Sequence, residues 1–362
     1  MKINSLYNTL FVQEFVSQQA NRPRWELPRA YHLATQAHLA GEREYIDALL
    51  ERVPAKVRQR WIATLLARRD RDHVPGWFEI MLFGWLLDIG KVKPVIPRVT
   101  ETPDFKLDLA GQVVAVEALC HLIPEKVRQF ERRFAQLVTL IHSVERPFLL
   151  NIRSAHLPAP LKGQHYIRSL TRWLDTSPAE PYTYTHESGA LVVLTAQSSQ
   201  SSIQHAVFVR STPFTANGAP LRKPLRRKAD KYRNIRRRRP FLIAIFLEDL
   251  QYTEYDVATA LYGRTNVVID TATERIVRVE VDRTGIIYWR NSILHTSVSG
   301  VLAFTARHDE GLARRVIRGT FLENPYSARP IDHRQLPSRR RFIVTHRTST
   351  HLEMEWLPPE PE

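Results

Sequence analysis

Apolar residues recur at spacings of three and four along the N-terminal part of the chain. The pattern runs through residues 31–38, 45–53 and 57–68, and it predicts a helical region over residues 1–74. Residues 70–75 have the composition of a break. Residues 77–89 are apolar on nearly every side, which predicts a second helix that is largely buried.

After residue 104 the apolar residues no longer follow the helical spacing of three and four. Residues 105–120 predict two strands joined by a tight turn at Ala110-Gly111. Helical spacing returns over residues 125–144, and the apolar run at 148–153 predicts the next strand. The order strand, strand, helix, strand predicts an α/β fold with a mixed sheet.

Strand patterns dominate the rest of the chain. The candidates are residues 190–196, 205–209, 241–247, 266–269, 276–281, 285–289 and 298–305. We therefore predict an N-terminal helical region (1–74), a core (75–250) with a basic helix at 221–239, a β-rich C-terminal region (251–357) and a disordered tail (358–362).

The composition and net charge of the chain predict the kind of partner that it binds. The chain has 362 residues, of which 43% are hydrophobic, and a formal net charge of +15. Such an excess of cations implies a polyanionic partner, because Lys and Arg displace condensed counterions from phosphates. We expect a cytoplasmic protein with no membrane partner, since the sequence has neither a signal-peptide pattern nor the ~18 consecutive apolar residues of a spanning helix.

Several classes of chemistry are excluded by missing motifs. A single cysteine, Cys120, cannot form a disulfide framework or a Cys-rich zinc site. The 14 histidines form no HExxH motif. The sequence has no phosphate-binding GxxxxGK[ST], no dinucleotide GxGxxG and no hydrolase GxSxG.

Positive charge is concentrated between residues 222 and 239, where eleven Lys and Arg residues accompany one acid, Asp230. Leu225, Ala229 and Tyr232 interrupt the run at helical spacing, which predicts an ordered helix with a phosphate-facing side. The alternatives are a solvated arm and a helix that docks an acidic protein. We expect contacts to the nucleic-acid backbone, which give affinity without sequence readout, from Arg226, Arg227, Lys228, Lys231, Arg233, Arg236 and Arg237.

The hairpin carries the candidate active site. Counting outward from Ala110-Gly111 makes Asp104 face Glu117, and directly opposed residues have Cβ atoms roughly 4.5–5.5 Å apart. Two carboxylates at this separation repel each other unless a cation lies between them, and Mg²⁺ or Mn²⁺ takes oxygen ligands. The alternative is an edge hairpin whose acids reach solvent or pair with arginine.

Pro103-Asp104, twelve further residues and then Glu117 inside an apolar strand resemble the PD-(D/E)xK nuclease motif. Glu79 stands in the upstream helix, as in that family. An acid in the first turn of a helix is also favoured by the macrodipole without any catalytic role. The helix after residue 125 and the strand near residue 148 match the order of the family's αβββαβ core, over about residues 75–155 and at most to residue 247.

The resemblance implies a restriction-endonuclease-like mixed-sheet core and a metal-dependent phosphodiesterase. Asp104 and Glu117 would be the ligands of Mg²⁺ or Mn²⁺, and Glu79 would be an accessory acid. It also implies a setting in prokaryotic defence, restriction or mobile-element biology.

One residue departs from the motif, because Leu119 occupies the position of its lysine. That lysine normally positions the attacking water or stabilises developing charge. Lys106 on the hairpin, Lys228 or Lys231 on the basic helix, and Gln129 are the candidate replacements.

The leading hypothesis is an endonuclease that acts on DNA, as a homodimer or within a larger complex. The alternative is an inactive nuclease-like fold that binds nucleic acid as a subunit of a larger complex.

Overall fold

The computed structural model describes residues 10–96, 102–144, 146, 148–198, 206–207, 218–231, 239–248, 252–270, 275–281, 284–289, 292–336, 340–347 and 352–357. The predicted tail at 358–362 lies outside these residues.

Helices predominate before the first strand, as predicted. They are α1 (Leu10–Gln19), α2 (Arg29–Thr35), α3 (Ala40–Glu51), α4 (Ala55–Leu65) and α5 (Asp70–Leu87). The later described helices are α6 (Glu125–His142), α7 (Gly163–Thr176), α8 (Ala219–Lys231) and α9 (Glu254–Tyr262). Short 3₁₀ turns occur at Arg24–Glu26, Ala37–Leu39 and His333–Gln335.

The predicted break at residues 70–75 is wrong, because α5 begins at Asp70 and the interruption lies at residues 66–69. Asp70 and Asp72 in the first turn suit the positive end of the helix dipole. Pro75 lies inside the helix, where its ring removes one backbone hydrogen bond. Burial of the apolar residues that follow it outweighs that loss.

The described strands, in chain order, are β1 (Lys91–Pro94), β2 (Phe105–Leu109), β3 (Gln112–His121), β4 (Phe148–His156), β5 (Tyr182–Thr185), β6 (Leu191–Ser198), β7 (Ala206–Val207), β8 (Phe241–Leu247), β9 (Thr265–Asp270), β10 (Arg275–Val281), β11 (Tyr288–Trp289), β12 (Ser292–Ile293), β13 (Gly300–Asp309), β14 (Arg314–Glu323), β15 (Arg340–Arg347) and β16 (Leu352–Leu357).

The largest sheet has eight strands in the order β1-β2-β3-β8-β13-β14-β15-β16. The pairs β3–β8, β8–β13 and β14–β15 are parallel, whereas the other neighbours are antiparallel. The prediction of an α/β fold with a mixed sheet, N-terminal helices and a β-rich C-terminal part is confirmed.

Strand β8 explains how the sheet is buried. Leu242, Ala244 and Phe246 lie in the hydrophobic cluster that contains α5, while Ile243 and Ile245 lie in the cluster that contains α8 and α9. Helices therefore cover both faces of the sheet at β8. A strand covered on both faces has an uninterrupted apolar sequence, as this one does.

The chain forms two compact units. The first comprises Met1–Asn21, Pro28–Leu122 and Thr215–Glu362, and the second comprises Arg22–Leu27 and Ile123–Phe214. The predicted boundaries after residues 74 and 250 do not coincide with the limits of these units. The second unit contains α6, α7 and a four-stranded sheet in the order β5-β6-β4-β7.

This arrangement corrects the expected order of the core. The strand predicted near residue 148 exists as β4, but it pairs with β6 and β7 in the second unit. The strand beside β3 is instead β8, which follows α8. The order helix, three strands, helix, strand is therefore made by α5, β1, β2, β3, α8 and β8, with residues 123–214 inserted between β3 and α8.

A buried ion pair joins the N-terminal helices to the C-terminal strands of the first unit. Glu42 of α3 is fully buried, and it accepts hydrogen bonds from the Arg315 backbone N at 2.8 Å and side-chain Nη2 at 2.6 Å. Trp77 Nε1 donates to the same carboxylate at 2.7 Å. Burial alone would raise the pKa of Glu42, but the hydrogen bonds and charge of Arg315 hold that pKa below its usual value.

In the described part of the chain, no helix has both the length and the apolar character needed to cross a membrane.

We predict that Glu42→Gln destabilises the first unit by about 3 kcal/mol, because breaking a buried ion pair leaves the arginine without its counter-charge. Urea unfolding at pH 7 measures the change, with Glu44→Gln on the exposed side of the same helix as the matched control. The pKa of Glu42 is lowered on folding, so its contribution is present above the ordinary carboxyl pKa and disappears as the pH falls through the folded value. Equal midpoints for the two variants at pH 7 would contradict the assignment.

Candidate active site

The register predicted for the hairpin is confirmed. Leu109 pairs with Gln112, Leu107 with Val114 and Phe105 with Val116. The turn residues Ala110 and Gly111 have φ values of 48° and 88°. Two successive positive φ values are the signature of a type I′ turn, whose twist matches that of a hairpin.

Asp104 lies just before the first ladder residue of β2. Its Oδ2 accepts a hydrogen bond from the backbone N of Ala118 at 2.8 Å, and its carbonyl accepts one from Val95 N at 2.8 Å. The carboxylate is therefore fastened to β3 at the residue that follows Glu117.

The electrostatic environment of Asp104 is unfavourable for its charged form. Burial, followed by the negative charges of Glu117 and Glu79, raises the pKa of Asp104 to about 8. The Ala118 N–H and the Lys228 ammonium offset only part of this shift. A carboxyl group that keeps its proton near neutral pH indicates a site in which burial and acidic neighbours outweigh the nearby positive charge, and such sites are often functional.

Helix α8 provides the cation of this site. Leu221, Leu225 and Ala229 are buried at intervals of four residues and seat the helix on the sheet. Lys228 projects beside this stripe, and its Nζ forms an ion pair with Oε1 of Glu117. The side chains of Lys228 and Glu117 are only 17% and 2% exposed.

Glu117 retains one oxygen for another ligand. Its Oε2 is buried and has no hydrogen-bond partner among the described residues. Together with the raised pKa of Asp104, this fits a hard cation that takes oxygen ligands.

These carboxylates would suit a cation that takes only one or two ligands from the protein. Among the described residues, no group of three or more His, Cys, Asp or Glu side chains is arranged to hold a metal ion. Mg²⁺ is commonly bound by one or two carboxylates, with water and substrate phosphates completing its shell. Asp104 and Glu117 supply two carboxylates, which is the number that this smaller requirement names.

Glu79 lies in the middle of α5, so the helix dipole at an N-terminus does not explain it. Its Oε2 accepts hydrogen bonds from Trp61 Nε1 at 2.9 Å and Arg60 Nη2 at 3.0 Å. Its side chain is 24% exposed. Although it is paired, its charge contributes to the raised pKa of Asp104.

The other proposed replacements for the motif lysine have different surroundings. The side chain of Lys106 is exposed and makes no hydrogen bond or ion pair among the described residues, and Lys231 is exposed on α8. Gln129 belongs to α6 of the second unit, where it donates to the side chain of Glu125 at 3.5 Å.

The basic helix is confirmed as an ordered helix over Ala219–Lys231. Arg227 and Lys231 are exposed, Arg226 is half-buried, and Lys223 extends the exposed line by one turn. Arg233, Arg236 and Arg237 lie outside the described residues. The buried stripe begins one turn earlier than predicted, at Leu221.

One charged residue near the site was missed from the sequence. Glu248 directly follows β8, is buried, and pairs with Arg29 Nη1 at 2.6 Å. Burial and then the charges of Glu79 and Glu248 raise the pKa of Cys120 on β3 well above its usual value. The sequence signal that could have identified Glu248 was its position directly after the fully apolar strand β8.

No protein-family model matches this chain, and neither a curated protein nor a solved structure matches it. The resemblance to PD-(D/E)xK nucleases therefore rests on the residues of the site itself.

We predict that Asp104→Asn stabilises the protein at pH 8.5 by at least about 1 kcal/mol. A carboxyl group whose pKa rises from 3.8 to about 8 on folding reduces stability progressively between those pH values. The amide removes this penalty and can still accept the Ala118 N–H. Thermal unfolding between pH 4 and 9 measures the effect, with Asp108→Asn in the same hairpin as control. A gain that does not grow with pH would contradict the assignment.

Proposed function

We propose that this chain is a metal-dependent endonuclease that hydrolyses phosphodiester bonds, with DNA as the expected substrate. The ion pair between Lys228 and Glu117, beside the protonation-prone Asp104, is the observation that carries the proposal. Two acids and one lysine, of which Lys228 and Glu117 are in contact and Asp104 is near enough for both charges to shift its pKa, are the residue types that the PD-(D/E)xK motif requires.

The position of Lys228 supports the proposal that this residue takes the role of the missing motif lysine. Leu119 lies two residues after Glu117 on the same face of β3 and packs against the cluster that contains α8. Lys228 approaches that face from α8, so a lysine is present although it comes from a different element. Its ammonium is suited to neutralising charge that develops on a phosphate.

Asp104 and Glu117 would hold Mg²⁺ or Mn²⁺ in this mechanism. Such an ion, when bound, supplies Lewis-acid polarisation of the phosphoryl group and a water of lowered pKa. The protein contributes the fixed carboxylates, of which Asp104 is held by the Ala118 N–H. Glu79, fixed by Arg60 and Trp61, adds negative charge that favours a bound cation.

The exposed cations of α8 support a grip on the nucleic-acid backbone. Lys223, Arg227 and Lys231 follow one another at intervals of four residues, so they lie along one side of the helix. Backbone contacts of this kind position a strand without reading its sequence. The same helix would thus hold the substrate and supply Lys228 to the site.

A specific observation favours the alternative of a protein that binds nucleic acid without cutting it. Lys228 already compensates Glu117, so the site can exist without a metal. In either case we propose a setting in prokaryotic defence, restriction or mobile-element biology, as a homodimer or within a larger complex, by resemblance.

We predict that the wild type cleaves DNA in Mg²⁺ or Mn²⁺ but not in EDTA. Glu117→Gln and Lys228→Gln should each lower the rate about 100-fold or more, because each removes charge from the reacting centre. Plasmid, single-stranded DNA and RNA are tested in parallel, with Lys126→Gln as a control on an exposed site of α6. Binding that is retained with no cleavage in any wild-type reaction would favour the alternative.

We predict that the double variant Arg227→Gln/Lys231→Gln binds DNA more weakly, whatever its sequence. The slope of log K against log salt should decrease by about two, because each lost phosphate contact removes about one unit. Fluorescence anisotropy at several salt concentrations measures the slope. The double variant Arg168→Gln/Arg172→Gln on α7 removes the same charge elsewhere, and equal effects of the two variants would refute a specific role for α8.

A further inference from the structure

The second unit contains an open cleft of ≈ 300 Å³ that lies on one side of α6. Small-molecule sites occupy roughly 300–1,000 Å³, so the cleft has room for one compact ligand. Gln129, Arg132, Arg133 and Gln136 line it. They recur at spacings of three and four, so the helix presents one polar face to the cleft.

A second part of the lining comes from the short helical turn at Arg24–Glu26. Trp25 of this turn lines the cleft and is half-buried. Among the described residues, it donates no hydrogen bond and contacts no other aromatic ring. Trp25 is therefore an aromatic side chain in the lining of this cleft whose indole has no hydrogen-bond or aromatic partner among the described residues.

The charge of the cleft is positive. Arg22, Arg132 and Arg133 line it against a single acid, Glu26. The side chains of Arg22 and Glu26 are 3.7 Å apart and are 42% and 49% exposed, and solvent-exposed pairs contribute little. The cleft is therefore suited to an anion.

The floor of the cleft is fixed in place by α6. Gln136 donates to Leu161 O at 3.1 Å and accepts from Leu161 N at 3.0 Å. Arg133 Nη1 donates to Leu157 O at 2.9 Å. These bonds hold the segment that contributes Pro160 to the lining. A site whose walls are already held requires little ordering when a ligand binds.

We propose that this cleft binds a nucleotide, either free or as an unpaired unit of a strand. A base would stack on Trp25, and its phosphate would contact the guanidinium groups of Arg132 and Arg22. Aromatic faces stack on bases whatever their sequence, and arginine matches the geometry of phosphate. The site belongs to the second unit and does not depend on the metal chemistry proposed for the first.

Isothermal titration calorimetry of the full chain in EDTA tests the proposal. The probes are adenosine monophosphate, inorganic phosphate and a 5′-phosphorylated tetranucleotide. We expect saturable binding of the mononucleotide or the tetranucleotide that is weakened about tenfold by Arg132→Gln and by Trp25→Leu. Arg172→Gln on α7 removes an exposed arginine outside the cleft and should leave binding unchanged.

Each outcome has a distinct meaning. Binding of both nucleotide probes through these residues supports a site for free nucleotides, and binding of the tetranucleotide alone supports a site for a strand. Phosphate that binds as tightly as the nucleotides would overturn the proposal. The same holds for nucleotide binding that neither variant weakens, and for no saturable binding at all. Arg132 is exposed, so its variant remains informative even if Trp25→Leu fails to fold, and EDTA separates these results from any failure of the nuclease proposal.

Discussion

A carboxylate inside a sheet constrains everything around the candidate site. Glu117 lies on β3 between apolar neighbours and is almost fully removed from water. An isolated charge there is unfavourable unless a proton or a nearby cation neutralises it. Lys228 meets that need, and it can do so because the buried stripe of α8 seats the helix on the same face of the sheet. The packing of α8 on the sheet therefore also determines which cation lies beside Glu117.

Two acids in the first unit, the buried Glu42 and the half-buried Asp104, have pKa values shifted in opposite directions. Glu42 is surrounded by donors from Arg315 and Trp77, which hold its pKa below the ordinary value despite burial. Asp104 has one backbone donor and acidic neighbours, and its pKa rises to about 8. Glu42 therefore contributes to the connection between helices and strands. Asp104 reduces stability, a cost that is typical of functional sites.

The two proposals rest on independent features of the two units. The nuclease proposal depends on Asp104 before β2, Glu117 on β3 and Lys228 on α8. The nucleotide cleft depends on a tryptophan outside α6 and on arginines that include two of α6. Both features suit phosphate-bearing ligands, in keeping with the net charge of +15. A polyanionic partner is proposed from that charge, but the charge does not say which surface would bind it, since electrostatic affinity is not specific to one patch.

The sequence by itself determined the local features of this protein. The hairpin register followed from Ala110-Gly111, because a two-residue turn fixes every later pair, and the buried strand β8 followed from its unbroken apolar run. Only the tertiary structure decided that β8, and not β4, lies beside β3, and that Lys228 reaches Glu117 across more than a hundred residues. Local patterns specify which faces must be buried, but the choice of partner depends on contacts between distant segments that no local pattern encodes.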